Sequence, residues 1–174
     1  GKQWALDELK MPQRFYSFKK SNWKIIVLDS IHIGDGDKGY MGKLDEQQFE
    51  WLKGELQSSS SKNILILSHI PVISVCPVFH PSSLKETEKR FEIGAGWMHI
   101  DSMRIKNAFL ESNHKIICIS GHTHMQDRID YNGTVYLNNG AVSGNWWDGK
   151  YQDFNPAFAV IDLNDDGAFN RQFI

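Results

Sequence analysis

The chain has 174 residues, 41% of them hydrophobic and 23% charged, which suits a single globular domain with a core of its own. A formal net charge of −2 offers no electrostatic ground for binding nucleic acid or an anionic membrane surface. No apolar run approaches the ~20 residues of a membrane span, and no signal-peptide pattern opens the chain.

In chain order, the first strong signal is "WKIIVLDS" (23–30), followed by "NILILSH" (63–69) and "KIICISG" (115–121). These are continuous aliphatic runs rather than alternating ones, as expected of strands covered on both faces in a mostly parallel sheet. The cluster "GDGD" (34–37) after the first run reads as a solvated turn. Between the first two runs, "LDEQQFEWLKGELQ" predicts a helix capped by Asp45, with Gln48 completing a capping box and Phe49, Leu52 and Leu56 on one face. The serines at 58–61 read as a loop. Between the second and third runs, "DSMRIKNAFLES" predicts another helix, with Asp101 as its cap and Ile105, Ala108 and Phe109 inward. Strand–helix–strand–helix–strand is an α/β pattern.

Beyond residue 121 the pattern changes to hairpins. One turns at Asn132-Gly133, and a second, "AFAVIDLNDDGAFNRQFI", turns at Asp166-Gly167. "DLNDDG" (162–167) imitates the first half of a calcium loop, but the twelfth position, which needs a bidentate acid, is Phe173. It reads as a turn. Cys76 and Cys118 have no motif spacing, so neither a disulfide nor a thiol site follows, and the compartment stays open between cytoplasm and export.

Of the seven histidines, His32, His80, His99 and His114 are scattered and read as surface or hydrogen-bonded residues. The other three stand at strand ends. His69 closes the second run just before Ile70-Pro71, and His122 and His124 follow the third run in "GHTH". Ligands of open α/β sheets bind at that edge. Extended backbone from Gly121 would send both imidazoles of the His-x-His pair to one side. Neutral imidazole suits zinc, iron, manganese or nickel.

"SHIP" (68–71) and "GHTH" (121–124) resemble the last two blocks of the calcineurin-like metallophosphoesterase family. The likeness extends to "FYSFKKSNWKIIVLDS", "GKLDEQQFEWLKGEL" and "YLNNGAVSGNWW", and so to nearly the whole chain. It implies the C-terminal half of a four-layer α/β/β/α sandwich, with a mixed sheet, helices on one face and late antiparallel hairpins. It also implies two divalent transition-metal ions (manganese, iron, zinc or nickel), with His69 and His122 on one and His124 on the other. The activity implied is hydrolysis of phosphate monoesters or diesters by a hydroxide that both ions hold, attacking phosphorus in line.

The family's earlier blocks, Asp-x-His, Gly-Asp-x-x-Asp and Gly-Asn-His-Asp/Glu, are absent; neither "DSIH" (29–32) nor "GDGDK" (34–38) has their spacing. The expectation is therefore a partial domain over 1–174, with no complete catalytic set and no activity in isolation. A sheet face or edge would be bare, to be covered by an N-terminal half or by self-association. A degenerate, non-catalytic relative is an alternative. Another is a carbohydrate- or ligand-binding module, in which Trp146, Trp147, Tyr151 and Phe154 form a stacking platform instead of packing around the site.

Overall fold

The computed structural model describes residues 1–34 and 39–174. Beyond Gly34, the "GDGD" turn lies outside the described residues. After a short helix α1 (Lys2–Glu8), the chain runs through β1 (Tyr16–Lys20), β2 (Trp23–Val27), β3 (Ile31–Ile33), β4 (Tyr40–Gly42), α2 (Glu46–Gln57) and β5 (Asn63–Leu67). It continues through α3 (Cys76–Phe79), β6 (Leu84–Glu86), β7 (Phe91–Ile93), α4 (Ser102–Ser112) and β8 (Lys115–Ser120). Two hairpins follow, β9 (Asp127–Tyr131) with β10 (Thr134–Asn138) and β11 (Ala159–Leu163) with β12 (Phe169–Phe173).

The main sheet has the order β1-β2-β5-β8-β10-β9. The four central strands are parallel and the two edge strands antiparallel. Because side chains alternate along a strand, the register creates two sets of rows. Ile26, Ile66, Cys118 and Tyr136 align across the parallel strands and face α2 and α4. There they meet Phe49, Leu52 and Leu56 of α2 and Ile105, Ala108 and Phe109 of α4, the residues expected from the helical period. The opposite rows, with Ile25, Leu65, Ile117 and Leu137, pack under the β11–β12 hairpin through Ile161, Leu163 and Phe169. Burial on both faces is what the unbroken apolar runs require.

That second face is not bare along its length. The hairpin covers the end of the sheet near Trp23 and Asn63, and Val27, Leu67 and Ile119 towards the other end stay half-buried. Among the described residues β11 pairs only with β12.

Two local expectations need correcting. Asp45 caps α2 by accepting from the Gln48 amide at 2.8 Å, but the Gln48 side chain does not return to the cap. It is fully buried and brackets Asp29, accepting from its amide at 2.8 Å and donating to its carbonyl at 2.9 Å. Asp101 stands at the head of α4 and makes no side-chain cap there. Its carboxylate accepts from the Leu44 amide at 3.0 Å and pairs with His99 Nδ1 at 3.0 Å, so it ties α4 to neighbouring loops.

The Asn132-Gly133 turn has both residues at positive φ, as a two-residue hairpin needs. The second hairpin has a five-residue loop, 164–168, in which Gly167 takes φ +86°. Its carbonyls face the sheet: Trp23 Nε1 donates to Asn164 O at 2.9 Å, Asn63 Nδ2 to Asp165 O at 3.0 Å and Lys115 Nζ to Asp166 O at 2.9 Å. The segment that imitates a calcium loop is a brace.

Candidate functional site

The three strand-end histidines come to one edge of the sheet because the parallel ladder runs past the strands by single rungs. Ser68 N donates to Ile119 O at 3.0 Å, Gly121 N to His69 O at 3.2 Å, and Asn139 N to Ser120 O at 2.8 Å. The peptide of His69 is thus bonded to the glycine that opens GHTH.

The turn itself is not extended. His122 has φ +70° and His124 φ +59°, a left-handed conformation that costs a side-chain-bearing residue on the order of 1 kcal/mol. Each imidazole is therefore aimed separately, which corrects the expectation of two side chains alternating from one extended segment. What holds the turn is buried beneath it. Asn138, fully buried, donates from Nδ2 to Thr123 Oγ1 and, at 3.0 Å, to Met125 O, while its Oδ1 accepts from Ser120 Oγ at 3.3 Å. Thr123, between the two histidines, is itself buried.

The turn carrying His69 is fixed from the other side. Ser68 Oγ donates to Ile70 O at 2.7 Å, and Ile70 N donates to Ser30 Oγ at 3.1 Å. His99 N donates to Pro71 O at 2.9 Å, and His99 Nε2 lies 3.3 Å from Ser68 Oγ. Ser68, His99 and Asp101 have the connectivity of a nucleophilic triad. Both Ser68 and His99 are buried, however, and the serine hydroxyl is committed to a backbone carbonyl, so the set positions the turn and offers no nucleophile. Burial alone would raise the Asp101 carboxyl, but the bonds from His99 and the Leu44 amide outweigh it and hold the group below the usual carboxylate range.

His69 Nε2 and His122 Nδ1 face each other at 3.1 Å. Burial, and then the neighbouring His69, push His122 down to about 4; burial and then His124 lower His69. Both rings are neutral near pH 7, the form that ligates metals. His124 Nδ1 lies 2.6 Å from Gly144 O; a carbonyl only accepts, so Nδ1 carries the proton and Nε2 keeps its lone pair. A carbonyl on the non-ligating nitrogen is the usual support of a metal-bound histidine.

Two nitrogens 3.1 Å apart match neighbouring ligands of one ion, since bonds of about 2.0–2.1 Å span that distance at an angle of roughly 100°. Among the described residues, no group of three His, Cys, Asp or Glu side chains closes around a single point. The spacing of His69 and His122 fits two ligands of one ion, and the bridging carboxylate of a two-metal centre is not among the described groups beside them.

A cavity of ≈ 260 Å³ opens beside His122 and His124, walled by the rings of Tyr40, Trp97, Trp146 and Tyr151. Tyr40 OH is 3.4 Å from His122 Nε2. Trp146 and Tyr151 pack against His124 with ring centroids 4.8 and 5.5 Å away. The aromatic stretch thus divides: Trp146 and Tyr151 line the histidine cavity, Trp147 is 79% exposed, and Phe154 lines a separate depression with Gln126 and Ile174. His80, which reads from sequence as incidental, also lines the cavity; so do Tyr40 and Trp97, which no spacing or periodicity singles out. His32 and His114 lie elsewhere, the latter 2.9 Å from Leu56 O.

In sequence, no protein-family model and no curated protein matches the chain. Solved structures do match it in fold. A dimetal phosphatase from Danio rerio aligns with a TM-score of 0.52 and 17% identity, over 78% of this chain and 51% of that one. PhoD aligns at 0.53 and 15%, over 74% of this chain and 28% of its own. GAP50, the anchor in the inner membrane complex of Plasmodium, aligns at 0.58 and 15%, over 94% of this chain and 51% of its own. The chain spans about half the length of the first and third and about a quarter of PhoD. No described helix is long and apolar enough to cross a membrane. The fold is of the metallophosphoesterase type.

Proposed function

We propose that this chain supplies the histidine side of a metal-dependent phosphoesterase site, with His69 and His122 as ligands of one divalent ion and His124 as a ligand of a second. The observation that carries this reading is the facing of His69 Nε2 and His122 Nδ1 at 3.1 Å, at the strand edge of a fold shared with a dimetal phosphatase. The tautomer of His124 supports it, since the lone pair at Nε2 is left free by the bond to Gly144. When bound, a pair of such ions would activate the attacking water and neutralise charge on the phosphoryl oxygens.

The chain's own residues do the rest. The Asn138 clamp and the Ser68–His99–Asp101 set fix the two ligand turns, and the Gly144 carbonyl orients the His124 imidazole. Aromatic rings wall the cavity beside His122 and His124. Manganese, iron, zinc and nickel all suit imidazole, and the substrate class is a phosphate monoester or diester.

The test is zinc titration of the protein by calorimetry, paired with hydrolysis of an aryl phosphate by the full-length protein. Zinc binding that His122→Ala and His124→Ala each weaken a hundredfold, with hydrolysis lost in both, is the expected result. Zinc affinity unchanged by both substitutions would overturn the ligand assignment. Glycan binding that survives loss of all three histidines would put a binding module in its place.

A further inference from the structure

The strongest unassigned group in the cavity is the phenol of Tyr151. Its hydroxyl lies 2.5 Å from His80 Nε2. The direction of that bond follows from the other side of the ring: the Ser82 amide, which only donates, points at His80 Nδ1 from 3.2 Å, and Ser82 Oγ lies 3.0 Å from the same atom. Nδ1 is therefore the acceptor nitrogen, and the proton of the neutral ring sits on Nε2. Nε2–H donates to the Tyr151 oxygen, which leaves the phenolic proton unused. Tyr151 lines the cavity that holds His122 and His124, so that proton has a cavity to donate into.

The placement is rigid. His80 is 6% exposed and its ring lies on Trp97 with centroids 4.2 Å apart. Tyr151 exchanges both backbone hydrogen bonds with Phe154, at 3.0 and 2.9 Å, across a tight turn in which Gln152 and Asp153 both take positive φ. Left-handed residues held on a cavity rim mark a conformation that the surroundings impose. Burial lowers His80, so the ring stays neutral with one proton to place.

We propose that Tyr151, oriented by His80, is a substrate-binding residue that donates its phenolic hydrogen to an oxygen of a phosphate ester seated against His124. It rests on the phosphoesterase reading of the same edge. A neutral donor beside two cation sites adds a directional bond to an anion without repelling the metals. His80 is a positioning residue that acts through Tyr151.

Two measurements on the full chain test this. In ¹⁵N-labelled protein, His80 should show a protonated Nε2 and a bare Nδ1; a proton on Nδ1 would overturn the assignment. Phenyl phosphate, titrated with zinc present and followed by tryptophan fluorescence, should bind about tenfold more weakly to Tyr151→Phe, the loss of one hydrogen bond to an anion. Melting temperature and zinc affinity should not move. His80→Gln keeps a donor and should bind within about twofold of wild type, whereas His80→Leu should lose as much as Tyr151→Phe.

Equal affinity in Tyr151→Phe, or no binding of phenyl phosphate at all, sinks the proposal. If zinc neither binds nor matters while Tyr151→Phe still weakens phenyl phosphate, the donor stands and the metal reading fails.

Discussion

The two ends of the same parallel sheet present opposite chemistry. At the end where the strands begin, Trp23, Asn63 and Lys115 each donate to a carbonyl of the 164–167 turn, and the polar groups pair off. At the end where they finish, His69 and His122 turn nitrogen to nitrogen across 3.1 Å, and His124 keeps a lone pair beside a cavity. Both ends carry a sequence with some of the spelling of a cation site, "DLNDDG" at one, which reads as a turn, and "GHTH" at the other. The difference lies in how the polar groups are used: carbonyls already taken by the sheet make a brace, and imidazole nitrogens bonded only to one another or left beside a cavity stay open to a ligand.

A matched pair of glycines can break that contrast. Gly167 and Gly144 both have positive φ, and a Cβ on either meets atoms that must move. At Gly167 it would lie 2.5 Å from Asn63 Oδ1 and 2.9 Å from Lys115 Cδ, disrupting the brace. Gly167→Ala should lower unfolding stability by about 3 kcal/mol, with zinc affinity of the folded protein unchanged. Urea melts with and without zinc read both quantities. A parallel loss of zinc affinity would mean that the two ends are not independent.

His122→Ala is the converse. Zinc affinity should fall about a hundredfold, or about 2.7 kcal/mol, while the apo protein melts at an unchanged temperature. An apo protein that unfolds instead would make His122 a core residue and erase the distinction. Gly144→Ala comes next in size. Its Cβ would overlap the Gly149 carbonyl and lie 2.8 Å from Pro156 Cγ, so the loop must shift and His124 loses its acceptor. Loss of such a supporting carbonyl should weaken zinc about tenfold, measurable by calorimetry.

What the sequence reveals of this contrast follows the range of the forces involved. The parallel strands and the inward faces of α2 and α4 are legible because an apolar run or a 3.6-residue period is a local signal. The strand-end histidines are legible because their neighbours Gly121 and Pro71 mark where chain leaves the sheet. The cavity walls are not. Tyr40 and Trp97 arrive through small hairpins and loops set by remote bonds, such as Gly42 N to Ala95 O at 2.8 Å and Ile100 N to Gly42 O at 2.9 Å. The capping-box spelling at Asp45 misleads for the same reason: Gln48 has a partner in Asp29 that is distant in sequence and better placed. Nor does spelling reveal the left-handed turn at His122 and His124, which depends on a clamp from Asn138 in another strand.

The smallest expected effect tests whether the site edge has a brace of its own. Asp101 sits under the His69 turn, bonded to His99 and the Leu44 amide, with its carboxyl held below the ordinary value. A depressed carboxyl contributes stability that is complete above its unfolded pKa, near 3.8, and is lost as pH falls through the folded value. Wild-type protein should therefore lose stability steeply below that pH. Asp101→Asn retains an oxygen for Leu44 and gives up the charge, so it should cost about 1 kcal/mol at pH 7 and show a flatter acid limb. If the acid limbs of the two proteins superimpose, the carboxylate is not anchoring the turn. His69 is then held by the Ser30 and Ser68 hydroxyls, the His99 amide and the sheet ladder, and the brace at the histidine edge works without a charge.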